Sequence, residues 1–328
     1  MLGKLEAVSP GLAVREAVEQ SSCFVFREGR VITFNDEIAC SITCDIGVEG
    51  AVAAKPLLDL LGKLAEKEID IAAKDGGGEI LVKGKGRRAG ITLEAEITLP
   101  VGAVEPPTEW GALDPEFAEA VGVVQHCASK DANTFHLTCI HVTPDHVEAC
   151  DNFQLARFPV ATGVSEPCLV KRDSLKHVTG LGMTEVSETP SWLHFRNPAG
   201  LTLSVRRELG DYEDLTALLQ MDGTPTTLPG GLAEAVAKAE IFSAENAENN
   251  VVLVELKAGQ LRLRGVGAAG WYEERKAVTW RGEPITFSIA PKLLVDITTR
   301  TNDCFIAPGR LKVDGGKFAY VTCLGKVE

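Results

Sequence analysis

Apolar and polar positions along the chain alternate in short bursts, and the bursts recur in a fixed order. A helix-like run reads Gly11-Leu12-Ala13-Val14-Arg15-Glu16-Ala17-Val18. It returns as Glu116-Phe117-Ala118-Glu119-Ala120-Val121 and again as Gly231-Leu232-Ala233-Glu234-Ala235-Val236. A second unit, an apolar strand running into a helix, also comes three times, at Ala51–Asp59, Cys168–Lys176 and Phe287–Asp296. Each repeat is about one small domain long. Ser9-Pro10 and Asp114-Pro115 read as a cap followed by proline at the first helical position, and predict helices of about three turns after them.

Period-two runs predict the strands between these helices. In the first block they are Cys23–Arg27, Val31–Phe34 and Ile38–Cys44, then Ile69–Ala73 with Glu79–Lys83. In the second they are Thr134–Thr143, His146–Cys150 and Leu155–Val160, then Trp192–Arg196 with Leu201–Arg206. In the third they are Val251–Leu256, Leu261–Val266 and Gly270–Thr279, then Asp303–Ile306 with Phe318–Leu324. Proline-rich linkers, Leu99 to Pro107 and Gly223 to Gly231, divide the chain into domains at 1–105, 110–224 and 228–328. The expected class is α+β, three similar domains with two helices packed on antiparallel sheets.

Composition narrows the function. The chain has 328 residues, 45% of them hydrophobic, so it folds into real cores. No apolar run reaches the roughly 20 residues of a membrane helix, and Met1–Pro10 has no signal-peptide core, so a cytoplasmic protein is expected. Nine cysteines, an odd number set mostly in apolar runs, read as core thiols in a reducing compartment. His126, His136, His141 and His146 lie near Cys127, Cys139 and Cys150, but the spacings match no zinc pattern, so no metal is expected. A net charge of −13 excludes a protein that coats nucleic acid with its whole surface, though not one with a single basic face. No phosphate loop, metal signature or nucleophile elbow is present, and no cofactor is expected. An enzyme using Glu119, Asp151 and His177, or Cys150-Asp151, stands as the alternative.

The threefold order resembles the bacterial DNA polymerase III β subunit, the sliding clamp, block for block over nearly the whole chain. Asp151-Asn152-Phe153-Gln154-Leu155-Ala156 sits where the family has Thr-Asp-Gly-His-Arg-Leu-Ala. Gly210-Asp211-Tyr212 sits at its Pro-Asp-Tyr, and Ala290-Pro291-Lys292-Leu293-Leu294 at its Asn-Pro-Lys-Tyr-Leu. Phe318-Ala319-Tyr320-Val321 matches its Tyr-Val ending, but the usual Met-Pro-Met-Arg-Leu tail is replaced by Thr322-Cys323-Leu324-Gly325-Lys326. A divergent member, such as a virus or mobile element would carry, fits these departures.

The resemblance implies a ring of two head-to-tail subunits around duplex DNA, bound without sequence specificity. It also implies short peptide motifs of a replicative polymerase and a clamp loader as partners. DNA contacts would come from Lys55, Lys63, Lys67, Lys171, Arg172, Lys176, Lys292 and Arg300 of the second helices, and from Lys130 and Lys238 of the first. The basic run Lys83, Lys85, Arg87 and Arg88 would add to them. An apolar groove for partner peptides would use Leu137, Cys150, Leu155, Leu215, Val321 and Cys323. Asn152, Phe153, Gln154, Gly210, Ala290 and Leu293 would stand at its rim. Ring closure would join Ile241 and Phe242 to an edge strand at Ala89, Ile91 and Leu93. A clamp-fold protein that no longer loads on DNA is the other alternative.

Overall fold

A computed structural model describes residues 1–64, 70–74, 78–84, 86–243 and 250–327. The helices are α1 (Leu2–Val8), α2 (Ala54–Lys63), α3 (Phe117–Val124), α4 (Arg172–Leu175), α5 (Thr216–Leu219), α6 (Leu232–Ser243) and α7 (Pro291–Arg300). Every strand pairing with a defined register is antiparallel. The chain divides into two compact units, one of residues 1–125, 138–147 and 160–211, the other of residues 126–137, 148–159 and 212–328.

In the first unit, α1 packs on α2, and α3 packs on the turn Lys176–Gly180 that continues α4. The amphipathic spacing of α2 explains its docking: Leu57 and Leu61, one turn apart, are buried, and Lys55 and Lys63 face water. The first repeat and part of the second share this unit, because a strand of each joins the other. Thr202–Val205 pairs with Ile38–Ser41, so the sheet continues from the first repeat into the second. Trp192 is fully buried at this seam, with Phe34, Leu99 and Ala39 around it. Its indole N–H donates to the Ala103 carbonyl at 3.2 Å.

The second unit holds the third repeat. A four-stranded sheet forms from Val252–Lys257, Gln260–Gly267, Gly270–Ala277 and Ile285–Ile289. Helix α6 lies on this sheet and packs on α7. The approach is close: a Cβ on Gly265 would stand 1.9 Å from the Ala239 carbonyl oxygen, so only glycine admits the helix there. Each repeat therefore carries a pair of packed helical segments on antiparallel strands.

The expected helix at Gly11–Val18 does not form, and the first helix is Leu2–Val8 instead. Leu2–Val8 buries Leu5 and Val8, whereas Val14, Arg15 and Glu16 are exposed and offer no apolar stripe. Residues 12–22 are a pinned loop. Ala13 N–H bonds to the Ser21 carbonyl at 2.8 Å, and Gln20 adopts φ +60, which a helix excludes. The buried Gln20 amide donates to Glu94 and to the Glu96 carbonyl and accepts from the Thr98 and Leu99 N–H groups. Ser9 bonds back to the Leu5 carbonyl, ending α1 where it had been expected to start a helix. Asp114 shapes the turn ahead of α3, its carboxylate accepting from Glu116 N–H at 2.8 Å, while the N-cap position is Glu116 and carries no side-chain cap bond.

Three strand expectations also change. Thr134–Thr143 is a strand only over Cys139–Val142, after a tight helical turn at Phe135–Thr138. The supposed linker at Thr224–Pro225 is a strand, Thr224–Thr227, paired with Asp303–Ile306. Pro225 is tolerated because the strand pairs on one side among the described residues. Arg87–Glu94, Glu185–Glu188 and Arg310–Asp314 are further strands that the apolar pattern did not mark. Eight of the nine thiols are buried and free, with only Cys323 exposed. Burial pushes the Cys40 thiol up to about 12, so it behaves as a small apolar residue.

One buried imidazole makes the first unit pH-sensitive. His194 is inaccessible to solvent and bonds to Ser204 Oγ at 2.8 Å and Thr189 Oγ1 at 3.2 Å. Burial pushes its pKa down to about 4, against a smaller opposing effect of Glu105. An unfolded histidine takes up its proton near 6.5, the folded one only near 4, so stability falls as pH drops through that window. Between pH 6.5 and 5 the loss due to His194 should reach about 2 kcal/mol. Thermal melts of wild type and His194→Gln across that range should converge at the acid end. Parallel pH profiles for the two would show that His194 is protonated in the fold.

Candidate functional site

A groove of about 370 Å³ opens in the second unit. Its floor is the face of a sheet running from Gln154–Pro159 through Ala319–Cys323 to Arg310–Asp314. Leu155 lies directly opposite Val321, and Gln154 opposite Thr322. Arg310 lies opposite Cys323, and Lys312 opposite Val321. Opposed residues of antiparallel strands share a face, so Leu155, Val321, Cys323, Arg310 and Lys312 all lie on the groove side. Helix α5 closes one flank by packing on Ala319–Cys323. It delivers Leu219 and, from its N-cap position, Leu215 to the cluster of Cys150, Leu155 and Val321.

Polar contacts hold the walls. The Asp151 carboxylate accepts from the N–H groups of Phe153 at 2.7 Å and Gln154 at 2.8 Å, which shapes the turn and leaves Phe153 protruding, 63% exposed. The Tyr320 hydroxyl donates to Gln154 Oε1 at 3.0 Å. The Tyr212 hydroxyl donates to Cys150 Sγ at 3.3 Å, and burial, reinforced by Cys150, pushes the Tyr212 pKa up. Arg157 meets the buried Glu148 carboxylate at 2.7 Å and donates to Thr216 at the start of α5. These bonds hold the walls and floor in place.

Of the expected groove residues, Leu137, Cys150, Asn152, Phe153, Gln154, Leu155, Leu215, Val321 and Cys323 line it. Gly210, Ala290 and Leu293 do not. Gly210 belongs to the first unit, beside Leu169, and Ala290 is the N-cap of α7 with Leu293 in its first turn. His136, Asp151, Glu213, Leu218 and Arg310 line it unexpectedly. Leu218 could have been found as the helical i+3 neighbour of Leu215. Arg310 could not, because its place depends on strand register.

The enzyme alternative gains no geometry from Cys150 and Asp151. The Asp151 carboxylate is taken up by backbone donors, and burial pushes the Cys150 thiol above its usual range. Burial, with Lys176 beside it, pushes the His177 pKa down.

The expected DNA-contact residues divide by environment. Lys55, Lys63 and Lys292 are exposed on α2 and α7, as is Arg300, whose guanidinium lies 5.7 Å from the Phe318 ring centroid. Lys83, Arg87 and Arg88 are exposed on neighbouring strands, with Lys83 directly opposite Arg88. Lys238 is on α6, 3.5 Å from Glu274. Lys130 lies in a loop rather than on a first helix, because α3 and its tight-turn extension end at Cys127. Lys171 is drawn to Glu37 at 2.5 Å with Glu208 at 3.6 Å, and Arg172 and Lys176 share Asp173. Lys67 and Lys85 lie outside the described residues.

Two sheet edges complete the picture. Residues 87–92 of Arg87–Glu94 pair only with Glu79–Gly84 among the described residues. Ala89 and Ile91 are half-buried and Leu93 is buried beneath this edge. Gly270–Ala277 likewise pairs only with Gln260–Gly267. Beside it Ile241 is 69% exposed, Phe242 half-buried, and Trp271 60% exposed opposite Val266. Trp271 and Val266 extend the expected Ile241-Phe242 pair into a patch.

Compared by sequence, the chain matches no family model and no curated protein. Compared by fold, it is similar to a DnaN sliding clamp (DNA polymerase III subunit beta) from Bartonella birtlesii, with TM-score 0.87 and 16% identity. It is also similar to the DNA polymerase III beta subunit of Thermotoga maritima, with TM-score 0.85 and 16% identity. The DNA polymerase III beta chain of Streptococcus pneumoniae follows at TM-score 0.84 and 15% identity. Each match covers at least 99% of this chain and 97% of the other. The chain therefore has the sliding-clamp fold of the DNA polymerase III beta subunits, end to end. No helix among the described residues is long and apolar enough to cross a membrane.

Proposed function

We propose that this chain is a DNA sliding clamp, a non-catalytic ring of two copies that holds a replicative polymerase on duplex DNA. The observation that carries the reading is the full-length fold match at TM-score 0.87. The three domains would be 1–105, 110–224 and 228–328, six in the ring. The two open sheet edges support closure, because an unpaired edge beside exposed apolar side chains is a liability unless a partner covers it. A contact of one edge with the other, repeated by rotation, closes a head-to-tail ring. Enclosure tolerates sliding since no base need be read. Light scattering should give a dimer, and Ile241→Lys with Trp271→Lys should give monomers, because burying unpaired charge costs several kcal/mol. A dimer that survives both changes would place the interface elsewhere.

Contact with DNA would fall to exposed cations of the helix pairs, Lys55, Lys63, Lys292 and Arg300, with the acidic surplus outside. Lys171 drops out of this set, since its ammonium already faces two carboxylates. The protein should stay on nicked circular DNA and run off after linearisation. Changing those four residues to Glu should flatten the dependence of log K on log salt by roughly three or four, at about 0.9 per phosphate contact. An unchanged slope would remove these helices from the DNA path. The pairing of Arg172 and Lys176 with Asp173 favours the second reading, a clamp fold that does not load. No retention on circular DNA in the presence of its loader would establish it.

The groove would dock a short segment of a polymerase or loader, by burial of one or two bulky apolar anchors. Affinity should be about micromolar, since so small a contact buries far less than a standard interface. Leu155→Asp should abolish binding of a labelled partner peptide while leaving the dimer intact. Equal affinity for wild type and variant would eliminate the groove.

A further inference from the structure

The groove is apolar at its floor but not neutral at its edge. Arg310 lines it, exposed, on the outermost strand of the floor. Lys312, two residues on, stands on the same face beside Val321. Neither side chain makes a hydrogen bond or ion pair with a described residue. Several other arginines of the chain do meet a carboxylate. Arg157 pairs with Glu148, Arg196 with Glu185, Arg206 with Asp36, Arg207 with Glu188 and Arg262 with Glu255. A chain with 46 acidic side chains thus leaves a guanidinium without a carboxylate where its peptide groove opens.

We infer that the groove selects peptides carrying an acidic side chain next to the apolar anchor, with Arg310 as the residue that reads it. This rests on the groove being a peptide site. The anchor settles on Leu155 and Val321. A neighbouring residue of an extended peptide then lies over the Cys323–Arg310 pair, one strand spacing of about 4.8 Å from the floor's centre. Guanidinium and carboxylate match as a two-pronged pair, and Lys312 adds attraction along the same edge. Uniformly acidic segments are not favoured, because Glu213 also lines the groove.

The test is selection of a random heptapeptide display library against wild type, Arg310→Ala and Arg310→Glu, with Leu155→Asp as the groove control. Wild type should enrich Asp or Glu beside a bulky apolar residue. Arg310→Ala should lose that preference and Arg310→Glu should exchange it for Lys or Arg. Titrating a selected peptide and its Asp→Asn form should show a roughly three- to tenfold difference for wild type and none for Arg310→Ala. Peptides that need Leu155 but carry no acidic bias, or that lose equally in both proteins, would overturn the role of Arg310 and leave the groove standing. If no selected peptide is sensitive to Leu155→Asp, the groove and this inference fall together.

Discussion

Backbone pairing between neighbouring repeats is the constraint on which the rest of this structure depends. A strand at the end of one repeat would present a row of unsatisfied N–H and C=O groups, and the next repeat covers it. Ile38–Ser41 is paired with Thr202–Val205 in the first unit. Gln154–Arg157 is paired with Ala319–Thr322 in the second. In both cases the third strand of one repeat takes the last strand of the next. The same rule, used twice, leaves strand edges without a partner among the described residues at positions 87–92 and at Gly270–Ala277.

The two seams are alike in construction and different in what fills them. At the first, the connecting segment between repeats lays Leu99, Val101 and Val104 against Trp192 and Phe34, and the space left is about 150 Å³. At the second, the connecting segment supplies Tyr212, Leu215 and Leu219, but winds into the short helix α5 and leaves about 370 Å³. The chain's own apolar side chains fill more of the first seam, and its equivalent keeps more than twice the space.

Charge is distributed to match. Some of the acidic side chains are engaged in ion pairs at loops and strand ends, as Glu37 is with Lys171 and Asp36 with Arg206. Exposed cations remain on α2, α7 and the groove's outer strand. Exposed ion pairs contribute little stability, so the placement matters for what the surface attracts more than for how firmly it folds.

Local pattern determined most of the elements. The alternation in Cys23–Arg27 or Val252–Lys257, and the helical spacing of Leu57 with Leu61, are properties of neighbouring residues and survive in the fold. The repeated order of those elements was legible too, and with it nine of the twelve expected groove residues. Tertiary structure decided the rest. Gly11–Val18 has helical composition, yet Gln20 binds a strand more than seventy residues away and holds the segment as a loop. Arg310 carries no signal in its own neighbourhood; it faces the groove because Cys323 is its partner across the ladder. Lys171 looked like any surface cation until Glu37, distant in sequence, was folded against it. Periodicity reports which face of an element is buried, whereas register and long-range ion pairs depend on which elements meet, and that is set only when the chain closes on itself.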